Sequence, residues 1–372
     1  MTLTHFGNYQ YALGIYYVSR YSNNIKFQPI NLIEVPMHIQ SKGYALKQRP
    51  AGMPTQECFE LQTEIISEIS DGQFIIKNLW LSVDPYMRGR MTDADSYVPP
   101  FQLGELMQGS AIGEVIASKH PDFQVGDKVN SMLGWREYAV STGEMVQKLP
   151  QTTLPDQSFL GVAGMPGLTA WVGLNIIGEL KEGETVLVSA ASGAVGSLVC
   201  QFAKLKGCRV IGSAGSNEKV EWLKSLGVDG VINYKDYSNA AELEAALAKY
   251  CPEGVDVCYE NVGGDHLEAA LNLLNRYGRM SVCGMIDLYN LEDAKAGPNN
   301  LANIVKKSLR IQGFIVSDHW EHYPSYVAQL TQWVEQGKIS WKETTRQGIE
   351  ATPDAFLGLF KGENIGKMLI QL

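Results

Sequence analysis

The hydrophobic period of the chain changes once between residues 184 and 207, and that change constrains everything around it. Thr185, Val186, Leu187 and Val188 form an apolar, β-prone run. After the small residues 189–196, Val195, Leu198, Val199 and Phe202 recur at helical spacing. The pattern predicts strand, tight turn, helix. At such a junction the first backbone N–H groups of the helix have no partner and the helix dipole turns its positive end to the turn, so a pyrophosphate placed there has its charge offset. Gly193 and Gly196 take the second and third places of the three-glycine dinucleotide pattern, while Ala191 stands in the first. On the glycines alone, an ordinary tight turn remains the alternative.

The following strand candidate, residues 209–213, ends in Ser213, Ala214, Gly215, Ser216, Asn217, Glu218 and Lys219. An enzyme using NAD needs an acid at that strand end for the ribose hydroxyls, and none stands there. A carboxylate repels a 2′-phosphate, whereas small hydroxyl residues and a nearby lysine accept one, so Ser213, Gly215, Ser216 and Lys219 favour NADP. The bland alternative is a solvated lysine on the first turn of a helix.

With 372 residues, 45% of them hydrophobic, the chain has material for two domains with real cores. A formal net charge of -9 argues against nucleic acid or an anionic membrane as partner, so any phosphate must be bound locally. The six cysteines include no Cys-x-x-Cys pair, which suggests reduced, packed thiols and a cytoplasmic protein. The uncharged stretch 157–178 is long enough to span a bilayer, but Pro166 and five glycines interrupt it, so it reads as buried in a soluble protein. Residues 1–40 are aromatic and rich in Asn, lack the basic start of a signal peptide, and read as an extension without an assigned function.

From 41 to 163 the text consists of short strands separated by turn residues, a mostly β domain. Within it, VDPYMRGRM at 83–91 sets a Pro-fixed turn, Tyr86 and two arginines in nine residues, as a pocket wall or as a turn with surface arginines. From 164 to 339 strand candidates at 184–190, 209–213, 230–233, 255–260, 278–284 and 309–316 alternate with helical stretches, which implies a parallel sheet wound on both faces. Right-handed crossovers put the C-terminal ends of these strands on one edge, where a dinucleotide lies. The residues to inspect there are Tyr234, Asn261, those from Cys283 to Tyr289, and Phe314, Ile315 and Val316. The tail, 340–372, returns to strand-like text and is expected to pair with the first domain, making that domain discontinuous.

VDPYMRGRM, GMPGLTAW, AASGAVGS, NYK, YENVGG, the 283–290 stretch and NIGK occur in an order that resembles the zinc-independent medium-chain dehydrogenase/reductases. The resemblance is to their leukotriene B4 12-hydroxydehydrogenase and prostaglandin reductase branch, with the alkenal and curcumin double-bond reductases, and it covers about residues 41–372. It implies a Rossmann domain, a discontinuous GroES-like β-barrel domain, a cleft between them, a homodimer, and NADPH reducing the double bond of an α,β-unsaturated aldehyde or ketone. By motif, the cofactor contacts fall on Gly193, Ala194, Val195, Gly196, Gly215, Lys219, Tyr234, Asn261, Cys283, Gly284, Tyr289, Phe314, Ile315, Val316 and Asn364. Tyr86 and Tyr289 fall on the substrate pocket. No metal is expected: the first domain offers only Cys58 and His120, and His319 and His322 lie three apart without a second acid or Cys, as surface histidines.

Without zinc, the oxyanion must be held by hydrogen-bond donors. Hydride is expected to pass to the β-carbon of the enone, with Tyr289, or a ribose hydroxyl it positions, stabilising the enolate and Tyr86 walling the pocket. The alternatives are a quinone reductase of the same superfamily and a protein that binds NADPH without turnover.

Overall fold

The computed structural model describes residues 38–372 with the exception of Ala294; the expectations for the N-terminal extension fall, up to residue 37, outside the described residues. The first strand, β1 (Ile39–Leu46), starts ahead of the boundary expected at residue 41 and pairs antiparallel with β2 (Phe59–Ile66). There follow β3 (Phe74–Ser82), the single turn α1 (Met87–Arg90), β4 (Ala111–Ser118), β5 (Lys128–Ser131), β6 (Tyr138–Ser141) and β7 (Val146–Lys148). The β3–β4 ladder slips register between Ile75 and Ile76 and again between Asn78 and Trp80. Such irregularities increase local twist, which lets one long strand serve a curled sheet: its first half pairs with β6 and its second half is free for another partner.

After α2 (Met165–Val172) the second domain alternates strand and helix: β8 (Thr185–Val188), α3 (Gly196–Leu205), β9 (Arg209–Ala214), α4 (Asn217–Ser225), β10 (Gly230–Asn233), α5 (Ala240–Ala248), β11 (Val255–Glu260), α6 (Gly264–Leu273), β12 (Leu274–Val282), α7 (Ala302–Lys306), β13 (Arg310–Gly313) and α8 (Tyr323–Glu335). The strands are parallel in the order β10-β9-β8-β11-β12-β13. Because helices cover both faces, Val186, Leu187 and Val188 of β8 and the inner residues of β9 are all buried, a near-continuous apolar run rather than an alternating one. The order reverses between β8 and β11, so their C-terminal ends open a crevice there.

The tail holds β14 (Glu343–Gln347), α9 (Thr352–Lys361) and β15 (Lys367–Gln371). Where strand text was expected throughout, Pro353 in the first turn and left-handed Gly362 just past the end bracket a helix whose Ala355, Phe356 and Leu359 are buried. β15 pairs antiparallel with the free half of β3, Leu369 opposite Ser82. Phe356 then joins Phe59, Trp135, Met87 and Met107 in the core of the first domain. The architecture is a Rossmann sheet with a GroES-like β domain.

Candidate active site

The crevice widens into a cleft of about 1630 Å³ bounded by both domains. At its floor, the turn after β8 holds Ala190 at φ 47°, a left-handed conformation uncommon for a residue with a side chain. Gly196 opens α3 directly behind it: a Cβ there would stand 2.4 Å from the Ala190 carbonyl oxygen, so only glycine lets the helix approach. Gly193, Ala194, Val195 and Gly196 all face the cleft. The tail clips this turn from the other side, where Gly366 N donates to Ser192 O at 2.8 Å and Gly366 bridges Gly193.

Lys219 and Gly215 border the same space, with Tyr234 and its neighbour Lys235 opposite. Lys219 is buried, its Nζ donating to Gly362 O at 2.6 Å. Burial, then the nearby positive charge of Lys235, lowers its pKa. Two lysines, one following β9 and one following β10, suit a multiply charged anion. Ser216 caps α4, accepting from Lys219 N. Ser213 departs from expectation: it is 1% exposed and its hydroxyl meets His266 Nε2 at 2.9 Å, because the last residues of a two-sided buried strand point into the core as often as outward.

Asn261, Cys283, Gly284, Phe314, Ile315, Val316 and Asn364 also border the cleft, at strand ends or in the tail. Asn261 spends its amide on the turn, Nδ2 donating to Ser189 O at 2.7 Å, and Asn364 likewise donates to Gly366 O at 2.7 Å. Both shape the rim through backbone.

The wall facing this rim carries tyrosines. Tyr86 comes from the turn before α1, and Tyr289 from the loop after β12, its hydroxyl lying against Gly284. Burial, and then the Asp84 charge, pushes the Tyr86 phenol well above its ordinary value; burial likewise raises Tyr289, opposed by a backbone hydrogen bond at Met285. Both phenols therefore stay protonated at neutral pH. Asp84 is buried and tied by Lys367, whose Nζ donates to Asp84 Oδ1 and to Val83 O, each at 2.8 Å. Removing one partner of such a buried pair costs about 3–5 kcal/mol, which fixes the turn that presents Tyr86.

Several contributors were not singled out from sequence. Tyr97, in the polar loop 93–101, lines the cleft, and Arg90 secures that loop by donating from Nε to Pro99 O at 2.9 Å while covering the Phe101 ring at 4.1 Å. Arg88 and Arg90 are 5% and 6% exposed, so the surface-arginine alternative for VDPYMRGRM does not hold. Their signal was their place in that motif; Arg90 binds nearby loop residues, while one partner of Arg88, Asn290, lies far off in sequence.

A family model described as the N-terminal domain of oxidoreductase matches residues 42–149, and one described as zinc-binding dehydrogenase matches residues 194–333. The chain belongs to the medium-chain dehydrogenase/reductase family. Among its relatives, an NADPH-dependent curcumin reductase of Escherichia coli is 41% identical over 90% of this chain and 97% of its own. A 2-alkenal reductase (NADP(+)-dependent) of Nicotiana tabacum is 42% identical over 90% of this chain and 98% of its own. The crystal structure of CurA from Vibrio vulnificus in complex with NADPH superposes with a TM-score of 0.83 at 44% identity, covering 89% of this chain and 98% of that one.

Zinc appears in the description of the second model, and the donors at this cleft do not fit that ion. Burial pushes the Cys283 thiol up to about 11, the Asp84 carboxylate is taken by Lys367, and His266 is engaged by Ser213. Among the described residues, the trio with converging donor atoms is His319, Glu321 and His322, none of which lines the cleft.

Proposed function

We propose that this dehydrogenase/reductase reduces the carbon–carbon double bond of α,β-unsaturated aldehydes and ketones with NADPH, and that the residues predicted from motif hold both molecules. The observation that carries this is one cleft that is lined by Lys219 and Lys235 and also by the phenols of Tyr86 and Tyr289. The relatives named for curcumin and 2-alkenal reduction support it.

The N–H groups of residues 194–196 at the start of α3 are offered to a pyrophosphate, and Lys219 with Lys235 attracts a 2′-phosphate. When bound, NADPH supplies a hydride for the β-carbon of the enone. Adding hydride there moves the electron pair of the double bond onto the carbonyl oxygen, so a donor aimed at that oxygen lowers the barrier. Tyr289, held protonated by burial, donates to the oxygen or hands its proton on, and Tyr86 closes the opposite wall. Neither step calls on a metal.

We extend the proposal to a cytoplasmic homodimer. The six cysteines are all free thiols, and among the described residues no helix is long and apolar enough to cross a membrane. β13 ends the parallel sheet with an exposed face, and Val305 and Leu301 beside it are 83% and 50% exposed, an edge suited to pairing with a second copy. Light scattering tests the dimer.

The activity test is NADPH oxidation against a graded series of alkenals, enones and a quinone, with NADH in parallel. Rapid turnover of enones with NADPH is expected. Consumption with the quinone alone, or binding without consumption across the series, overturns the assignment.

A further inference from the structure

We propose that His319, Glu321 and His322 form a binding site for a divalent transition-metal ion of the zinc and copper class, separate from the reduction chemistry and independent of it. From sequence these histidines read as surface residues without a Cys or a second acid. Glu321 stands between them, and in the kinked 3-10 segment Val316–His322 the donor atoms of His319, Glu321 and His322 all lie within 4.8 Å of one another.

The backbone kinks at His319 (φ -127°, ψ 20°), and across that kink the two imidazoles still come close to each other. Their rings are near parallel at 19° with centroids 6.4 Å apart; each ligates through a nitrogen lone pair in its own ring plane, so an ion is held at the ring edges and not between the faces. His322 Nε2 is 3.6 Å from Glu321 Oε1. Ligands on a tetrahedral ion with bonds of about 2.0–2.1 Å stand roughly 3.4 Å apart, so closing the trio from separations of up to 4.8 Å takes up to about 1.4 Å of movement by partly exposed side chains. Two imidazoles, one carboxylate and a water make up a set that zinc and copper accept, while magnesium and calcium prefer oxygen alone.

The scaffold beneath is braced. His322 packs at 5.5 Å on Trp171, and Trp320, between the two histidines, stacks on Tyr323 at 4.7 Å and 11°. Trp320 and Tyr323 face the cleft on their other side, so the site stands on the outer side of a cleft wall, next after Val316.

The test is a zinc titration of the full chain against a colorimetric chelator, with His319→Ala/His322→Ala and Glu321→Gln variants, and Cu2+ quenching of tryptophan fluorescence alongside. The wild type is expected to take one equivalent, unaffected by excess magnesium. The double variant should lose about a hundredfold or more in affinity, the Gln variant about tenfold, and the double variant should lose most of the quenching that Trp320 contributes. Unchanged melting temperatures show that the variants fold. Equal zinc uptake by wild type and double variant, or no uptake by the wild type into the millimolar range, overturns the proposal.

Discussion

Arg88 donates from Nε to Asn290 Oδ1 at 2.9 Å, so a side chain of the β domain grips the loop that carries Tyr289. Its other nitrogens donate to Gly52 O and Thr92 Oγ1, at 2.8 and 2.9 Å. No described carboxylate pairs with this buried cation, and burial lowers its pKa.

Arg88→Lys keeps the charge and loses the three-way fork. Losing a charged hydrogen bond of about 1.5–3 kcal/mol should lower kcat about tenfold through a loosened Tyr289, with NADPH affinity changed less than about twofold. Asn290→Asp, which keeps an acceptor and adds a counter-charge, should retain activity, whereas Asn290→Leu should resemble Arg88→Lys. Wild-type turnover by the Leu variant would remove the grip from the mechanism.

Tyr289→Phe keeps the ring and deletes the donor. If the phenol serves the oxyanion or supplies the proton, single-turnover hydride transfer should slow by roughly 10² to 10⁴ with NADPH affinity little changed. A loss of only a few-fold assigns the proton to solvent or ribose, and an unchanged rate with a lowered melting temperature leaves Tyr289 a packing residue.

Lys219→Ala should weaken NADPH by about 1.5–3 kcal/mol, roughly ten- to a hundredfold, and leave NADH nearly untouched. Lys235→Ala, at the more exposed of the two lysines, should do the same more mildly. Calorimetric titration of both cofactors decides it; equal losses for the two would sink the 2′-phosphate assignment.

Glu260 ends β11 fully buried, its Oε1 accepting from Val262 N at 2.7 Å and Gly263 N at 2.6 Å. Burial raises its pKa from 4.5 to about 7, against the pull of those N–H groups. The folded chain therefore holds this proton more tightly than the unfolded one, and the stability so gained is full below pH 4.5 and lost as pH rises through about 7. His266 runs the other way: burial lowers it from 6.5 to about 4, so its contribution is full above pH 6.5 and lost as pH falls through about 4. The two trends offset each other in the wild type. Glu260→Gln removes one of them, so its stability relative to wild type should rise between about pH 5 and pH 7, by at most about 3 kcal/mol. Urea unfolding at several pH values measures this, and a constant difference would place the Glu260 pKa outside that window.

The strand-turn-helix at 185–205 was legible because period, small residues and glycine spacing all agree within two dozen residues. That the sheet is parallel and covered on both faces followed from alternation; its strand order did not. What stayed hidden depends on partners distant in sequence: Arg88 meets a loop some two hundred residues on, and Asp84 meets Lys367. Ser213 was misjudged because a strand buried on both faces gives no alternation to say where a hydroxyl points. Helix α9 was legible in principle, with Pro353 and Gly362 as its brackets, but the isoleucine and leucine text of β15 beside it drew the whole tail toward strand.

The antiparallel partnership of β15 with β3 also sets a timetable. During synthesis, the first domain's strands leave the ribosome with half an edge of β3 unmatched, and that edge stays open until residues 367–371 are made. Contacts across so long a stretch are slow to form, and an open edge invites wrong pairing meanwhile. Slowing translation late in the message should therefore raise aggregation more than slowing it early.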